Sequence, residues 1–132
     1  VVTTLQRTVV IAEHLVDRYG LRRHCRRVRA CEIAVLELEN PASDAYRTIL
    51  AECRRALAED DCGAIVLGCA GMADLCRRLS DELGVPVIDG VAAAVAGAEA
   101  LVRIGLHTSK RGDYAAPLAK PYAGLLAPFA PR

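Results

Sequence analysis

Ala64-Ile65-Val66-Leu67-Gly68-Cys69-Ala70-Gly71-Met72 is the stretch that decides the fold. Ala64 to Leu67 is short and wholly apolar, the pattern of a strand buried on both faces of a parallel sheet. A glycine-flanked turn follows, and then a helical pattern over about 72–83 that Gly84 stops. The same alternation extends outward in both directions. Downstream, Val85-Pro86-Val87-Ile88 predicts a strand, and Asp89 can cap an Ala-rich helix over about 91–104 that Gly105 ends. Upstream, Ser43 follows a loop at Asn40-Pro41-Ala42 and can cap a helix through about Glu59. A strand lies somewhere in 25–36, with its boundaries poorly marked. At the start, Val1-Val2 predicts the end of a strand, and Thr4 can cap a helix running to about Tyr19. Strands alternating with helices at this spacing make four βα units, the first truncated. The expectation is an α/β fold: a three-layer domain with a four-stranded parallel sheet. Such sheets place their sites at the carboxyl ends of strands. Three strand ends therefore matter: Thr3-Thr4, Gly68 to Met72, and Asp89-Gly90.

Composition narrows the function classes. The 132 residues are 53% hydrophobic and 25% charged, ordinary for one globular domain and unlike a disordered or collagen-like chain. The net charge of +1 gives no support to nucleic-acid binding. The one basic cluster (Arg22, Arg23, Arg26, Arg27, Arg29) has no interleaved aromatics. It reads as a solvated sheet edge, a helix end or a subunit contact. No basic-then-apolar leader opens the sequence, and the longest apolar stretch, Gly90 to Val102, is interrupted by Glu99 and too short to span a bilayer. A soluble, cytoplasmic protein without a membrane partner is expected. The six cysteines lie mostly within helical or strand patterns and read as reduced core or surface thiols. With no C-x-x-C and no Cys/His pairing at zinc spacing, neither a metal nor a cofactor is expected.

Cys69 stands apart from the other five. It sits between a strand and a helix start, where free N–H groups and the positive end of the helix dipole stabilise a thiolate. Gly68 and Gly71 leave room for a ligand to approach the backbone, and the N–H groups of Ala70, Gly71 and Met72 can hold a carbonyl oxygen or a developing enolate. The other reading of Cys69 is a core cysteine at a tight strand–helix turn. A phosphatase loop needs Arg six positions after the cysteine, where Leu75 stands. A Cys–His pair would need His14, His24 or His107, none of which lies in a supporting motif. A thiolate acting as its own base is the simpler chemistry.

Ala64 to Leu75, with its Gly-Cys-Ala-Gly-Met core, resembles the second cysteine motif of the hydantoin/allantoin racemase branch of the aspartate/glutamate racemase superfamily. Val85 to Val91, Thr108-Ser109-Lys110, Lys120 to Gly124 and the opening Val1 to Thr4 resemble that branch too. The resemblance implies one half of a pseudo-symmetric two-domain racemase fold, each half supplying one cysteine. It implies cofactor-independent racemisation of a 5-substituted hydantoin or allantoin, with Cys69 as one of two acid/base groups at C5. Gly68, Ala70 and Gly71 would frame the ring, with the N–H groups of Ala70 and Gly71 binding its oxygens, and Thr3 and Thr4 would contact its polar groups. Thr4 reads equally as a plain helix cap, Asp89 reads as a cap beside the site, and Lys110 as a solvated tail residue. The resemblance further implies residues 1–105 as the half-domain and 106–132 as a return segment packed on a first half. The partners implied are a small-molecule substrate, that first half and a homo-oligomer. Nothing in the chain matches the first cysteine motif. An arylmalonate decarboxylase-like or maleate isomerase-like cysteine enzyme, or an inactive half-domain, therefore stays open.

Overall fold

The computed structural model describes residues 1–40 and 42–130; Pro41 of the expected loop and Pro131-Arg132 of the tail lie outside the described residues. The chain divides into two units, Val1–Gly97 and Ala98–Arg132. The first contains all four strands: β1 (Val2–Thr3), β2 (Arg29–Ala30), β3 (Ile65–Leu67) and β4 (Val87–Asp89). They pair in the order β2-β1-β3-β4, every neighbour parallel. Thr3 is in register with Ala30, Val2 with Leu67, and Leu67 with Asp89, which brings the carboxyl ends of the four strands into one row.

The helices are α1 (Gln6–Arg18), α2 (Ala45–Glu59), α3 (Cys76–Leu83) and α4 (Gly90–Arg103). Each forms where apolar residues recur at helical spacing. In α2 the buried positions are Ala45, Ile49, Leu50, Cys53 and Ala56, a single stripe. That stripe packs with Val2, Ile65, Leu67 and Val87 of the sheet and with Met72 and Leu79 to form the core. Right-handed crossovers put α1 on the opposite face from α2 and α3, because the β1–β2 step runs against the β2–β3 and β3–β4 steps. There Val9 and Val16 are the buried residues of α1.

The structure departs from the sequence reading at several points. Ala64 to Leu67 is not buried on both faces: Val66 is 39% exposed, as is Ile88 beside it in β4. Val66 shares a cavity with Val16 and Leu21 and so is only partly covered on the α1 face, and α4 has no buried residue. Thr4 does not cap α1. The helix starts one residue later behind Leu5, and the Glu32 carboxylate receives the Gln6 N–H instead. The 25–36 strand contracts to Arg29–Ala30, because Glu32 turns the chain through φ +54° and a 3₁₀ turn, Val35–Leu38, follows. The helix placed at 72–83 is two segments, a 3₁₀ helix Ala70–Leu75 leading into α3.

Arg29 is not a solvated member of the basic cluster. It is 7% exposed, and its guanidinium meets Asp60 through two nitrogens (2.5 and 2.6 Å), Glu59 (2.7 Å) and Glu52 (3.1 Å). The cluster ties β2 to the end of α2 and raises the guanidinium pKa, chiefly through the Asp60 bonds. Ser43 is not the cap of α2: Asp44 holds that position, and Ser43, one residue earlier, accepts the Ala45 N–H through its hydroxyl (3.3 Å).

The second unit consists of the last residues of α4, two short 3₁₀ turns (Gly112–Tyr114 and Gly124–Phe129) and the extended segments between them. Its residues 98–129 are all exposed. Among the described residues no helix is long and apolar enough to cross a membrane.

Candidate active site

Gly68 continues the β3 ladder for one step, its N–H donating to Val2 O (2.8 Å). A side chain there would collide with the neighbouring strand: a Cβ on Gly68 would lie 3.1 Å from Thr3 Cβ and 3.3 Å from Thr3 Oγ1. Glycine is thus what lets the end of β3 lie flush against the end of β1. Cys69 follows in extended conformation (φ −146°, ψ 130°) as the N-cap of the 3₁₀ helix, half-buried. Its carbonyl accepts the Met72 N–H (3.0 Å). That bond takes Met72 out of the expected set of free donors. The N–H groups of Ala70 and Gly71 remain, and neither donates to another group among the described residues.

Gly71 is the meeting point of the site. A Cβ there would lie 3.8 Å from Cys69 Sγ, 3.1 Å from Leu38 Cδ1 and 3.6 Å from Val35 Cγ1. The thiol, the two free N–H groups and the apolar Val35–Leu38 turn therefore converge. Sequence reasoning did not find this turn, since Ile33 to Leu36 reads as ordinary strand sequence; its only signal was the apolar pair Val35-Leu36 just ahead of an acidic, loop-forming run.

Thr3 and Thr4 are both buried at the adjacent strand end. Thr8 Oγ1 donates its one proton to Leu5 O (2.6 Å), so the 2.9 Å contact between Thr3 Oγ1 and Thr8 Oγ1 is a donation from Thr3. Thr3 Oγ1 is left with acceptor capacity only. Asp89 is a helix cap, as read: its two carboxylate oxygens accept the N–H groups of Val91 (3.0 Å) and Ala92 (2.8 Å). Its charge also contributes to raising the Cys76 thiol pKa, behind the larger effect of burial.

All six cysteines are free thiols. Burial pushes Cys31 up to about 12 and Cys53 up to about 11, so these two are protonated, inert members of the core. Cys31 also follows a strand, β2, but is buried; Cys69 is the strand-end cysteine flanked by glycines, Gly68 and Gly71, and only half-buried.

A parallel sheet with a half-buried cysteine on the turn after its third strand, framed by free backbone N–H groups, defines an α/β domain organised around one thiol. The chain belongs to the Asp/Glu/Hydantoin racemase family, whose model matches residues 1–98. It is 56% identical over 124 residues to a hydantoin racemase of Rhizobium meliloti, covering 94% of this chain and 52% of that protein. It is 43% identical over 129 residues to a hydantoin racemase of Pseudomonas sp. strain NS671, covering 98% and 52%. Among solved structures, allantoin racemase from Klebsiella pneumoniae superposes with a TM-score of 0.84 at 50% identity, over 99% of this chain and 54% of that one. The chain thus spans about half the length of the curated relatives it matches.

Proposed function

We propose that these residues form the second half of a cofactor-independent racemase that inverts 5-substituted hydantoins or allantoin at C5. The observation that carries the reading is the Cys69 thiol on the turn after β3, beside the free N–H groups of Ala70 and Gly71. The names of the relatives support the substrate class.

The C5–H of the ring is acidified by the adjacent carbonyl, since its removal gives an enolate-like anion. Cys69, as thiolate, takes this proton from one face. The Ala70 and Gly71 N–H groups hold the carbonyl oxygen as it gains charge, without reorganising at that moment. Thr3 Oγ1, an acceptor only, takes a ring N–H, and Thr4 lines the same strand end. A cysteine of a first half returns a proton to the opposite face as thiol, and the roles exchange for the other enantiomer. In this reading residues 1–105 are the half-domain, and 106–132 pack on the first half. The exposure of residues 106–129 supports that assignment. So do Val66 and Ile88, left partly open on the sheet.

The test follows one enantiomer of a 5-substituted hydantoin in deuterated water, with the whole protein and its Cys69→Ala variant. Racemisation with deuterium uptake at C5 in the parent, lost in the variant, is the expected result. Loss by a factor of 10² or more matches removal of a positioned acid/base group. Undiminished racemisation in Cys69→Ala would remove Cys69 from the chemistry, and neither racemisation nor exchange in the folded parent would end the racemase reading.

A further inference from the structure

The mechanism above accounts for the ring but leaves the substituent at C5 without a partner. The Val35–Leu38 turn lies beside the same thiol. Leu38 Cδ1 and Cys69 Sγ are 3.1 and 3.8 Å from one point, the Cβ position of Gly71, and are therefore no more than about 7 Å apart. Val35 Cγ1 is 3.6 Å from that point. A substituent on the carbon that reacts with Cys69 must lie within this range of the sulfur.

The turn is fixed rather than mobile in its construction. The Glu37 N–H donates to Ala34 O (2.9 Å), the Asn40 N–H to Glu37 O (3.3 Å), and the Ser43 hydroxyl to the same Glu37 carbonyl (2.6 Å). Leu38 packs on the core from below. Yet Val35 is 47% exposed and Leu36 81% exposed. Val35 and Leu36 of this anchored turn thus hold apolar side chains open to solvent beside a thiol. Its side chains offer a substituent no hydrogen-bond partner at Val35, Leu36 or Leu38.

We propose, resting on the racemase reading, that the Val35–Leu38 turn is the wall that receives the C5 substituent, and that Val35 sets the preference for apolar over polar substituents. A hydrocarbon group gains contact and sheds water against this wall. Against the Val35 and Leu38 side chains, which face the Gly71 position, the ureido group of allantoin loses hydrogen bonds to water and finds none in return.

The experiment compares kcat/KM for 5-isobutylhydantoin and for allantoin in the whole protein and in Val35→Asn, Val35→Thr and Val35→Phe. The parent is expected to favour 5-isobutylhydantoin. Val35→Asn should lower the isobutyl-to-allantoin ratio roughly tenfold, and the near-isosteric Val35→Thr should move it the same way by less. Val35→Phe should penalise 5-isobutylhydantoin more than 5-methylhydantoin, because it narrows the space in front of the wall. Val35 is half exposed, so folding is retained, and circular dichroism checks this for each variant. A merely structural role would reduce turnover of both substrates together and leave the ratio fixed. Ratios within twofold of the parent in all three variants overturn the wall while leaving the racemase reading intact. A folded parent that racemises neither compound overturns both.

Discussion

Replacing Gly68 and Gly71 separately by Ala probes the two sides of Cys69 with the same methyl group and should give opposite outcomes. Neither glycine adopts a left-handed φ, so alanine is allowed by the backbone at both. Restricting the unfolded chain then favours each variant by about 0.4–1 kcal/mol. What differs is the neighbour. At Gly68 the new Cβ meets Thr3 Cβ at 3.1 Å, Thr3 Oγ1 at 3.3 Å and Thr3 Cα at 3.5 Å. Thr3 is β-branched, buried and held in the sheet, so relief requires the ends of β1 and β3 to part by several tenths of an ångström. Overpacking of this kind costs about 1–3 kcal/mol. The net loss is about 1–2 kcal/mol, or a Tm lower by roughly 4–8 °C at this chain length. At Gly71 the 3.1 Å contact is with Leu38 Cδ1, the far end of a flexible side chain, which can rotate away. Gly71→Ala should therefore keep or slightly raise Tm. Its methyl group, 3.8 Å from Cys69 Sγ, fills the space a ligand needs, so activity should fall while stability does not. Urea and thermal unfolding followed at 222 nm, with C5 exchange measured in parallel, separate the two effects. A Gly68→Ala variant as stable as the parent would refute the argument that the β1–β3 approach requires glycine. Gly71→Ala with full activity would refute the placement of the reacting ligand.

Two further outcomes follow from charge and burial. Arg29→Met leaves the Asp60 and Glu52 carboxylates, 9% and 12% exposed, with only the exposed Arg27 (3.8 Å) and Arg55 (3.1 Å) as cations. Breaking a buried pair costs about 3–5 kcal/mol, and because Glu59 in the same cluster is 53% exposed, water screens part of that, giving an expected loss of about 2–3 kcal/mol by urea unfolding. The Arg29 bonds lower the Asp60 pKa in the folded state. That contribution is fully present above the unfolded carboxylate value of about 3.9 and is lost as pH falls through the lower folded value. Stability of the parent should drop on acidification below about pH 4, and the variant should show a smaller drop; equal acid profiles would contradict the pairing. Native-state alkylation with iodoacetamide at pH 8, mapped by mass spectrometry, should spare Cys31 and Cys53, whose thiols burial holds near 12 and 11. Prompt modification of Cys53 would show that α2 does not seal the core.

The sheet was legible because its signals are local. A four-residue apolar run between turn residues marks β3, and the spacing of Ile49, Leu50, Cys53 and Ala56 marks the buried face of α2. What local pattern could not show is which surfaces meet. Val66 looks identical to Ile65 and Leu67 in sequence, yet it is exposed because the covering layer on its side stops at α1. Arg29 looks like its neighbours Arg26 and Arg27, yet it is buried because three carboxylates from the distant end of α2 converge on it. Both outcomes are decided by pairings about 20 to 60 residues apart.

The candidate site divides along the same line. Gly68, Cys69, Ala70 and Gly71 are contiguous, so a strand end, a thiol and two free N–H groups can be read from four successive residues. The Val35–Leu38 turn lies more than thirty residues upstream, and no periodicity in it points to Cys69. It reaches the thiol because β2 and β3 flank β1 on either side, and the segments leaving their carboxyl ends fold back over the same row. The proposed chemistry thus rests on a short motif that sequence displays. In the proposed reading, the choice of what that chemistry acts on falls to a loop that the strand order brings beside it. Substitutions at residues 35–38 should consequently change which substrate is turned over, and those at 68–71 should change whether any is.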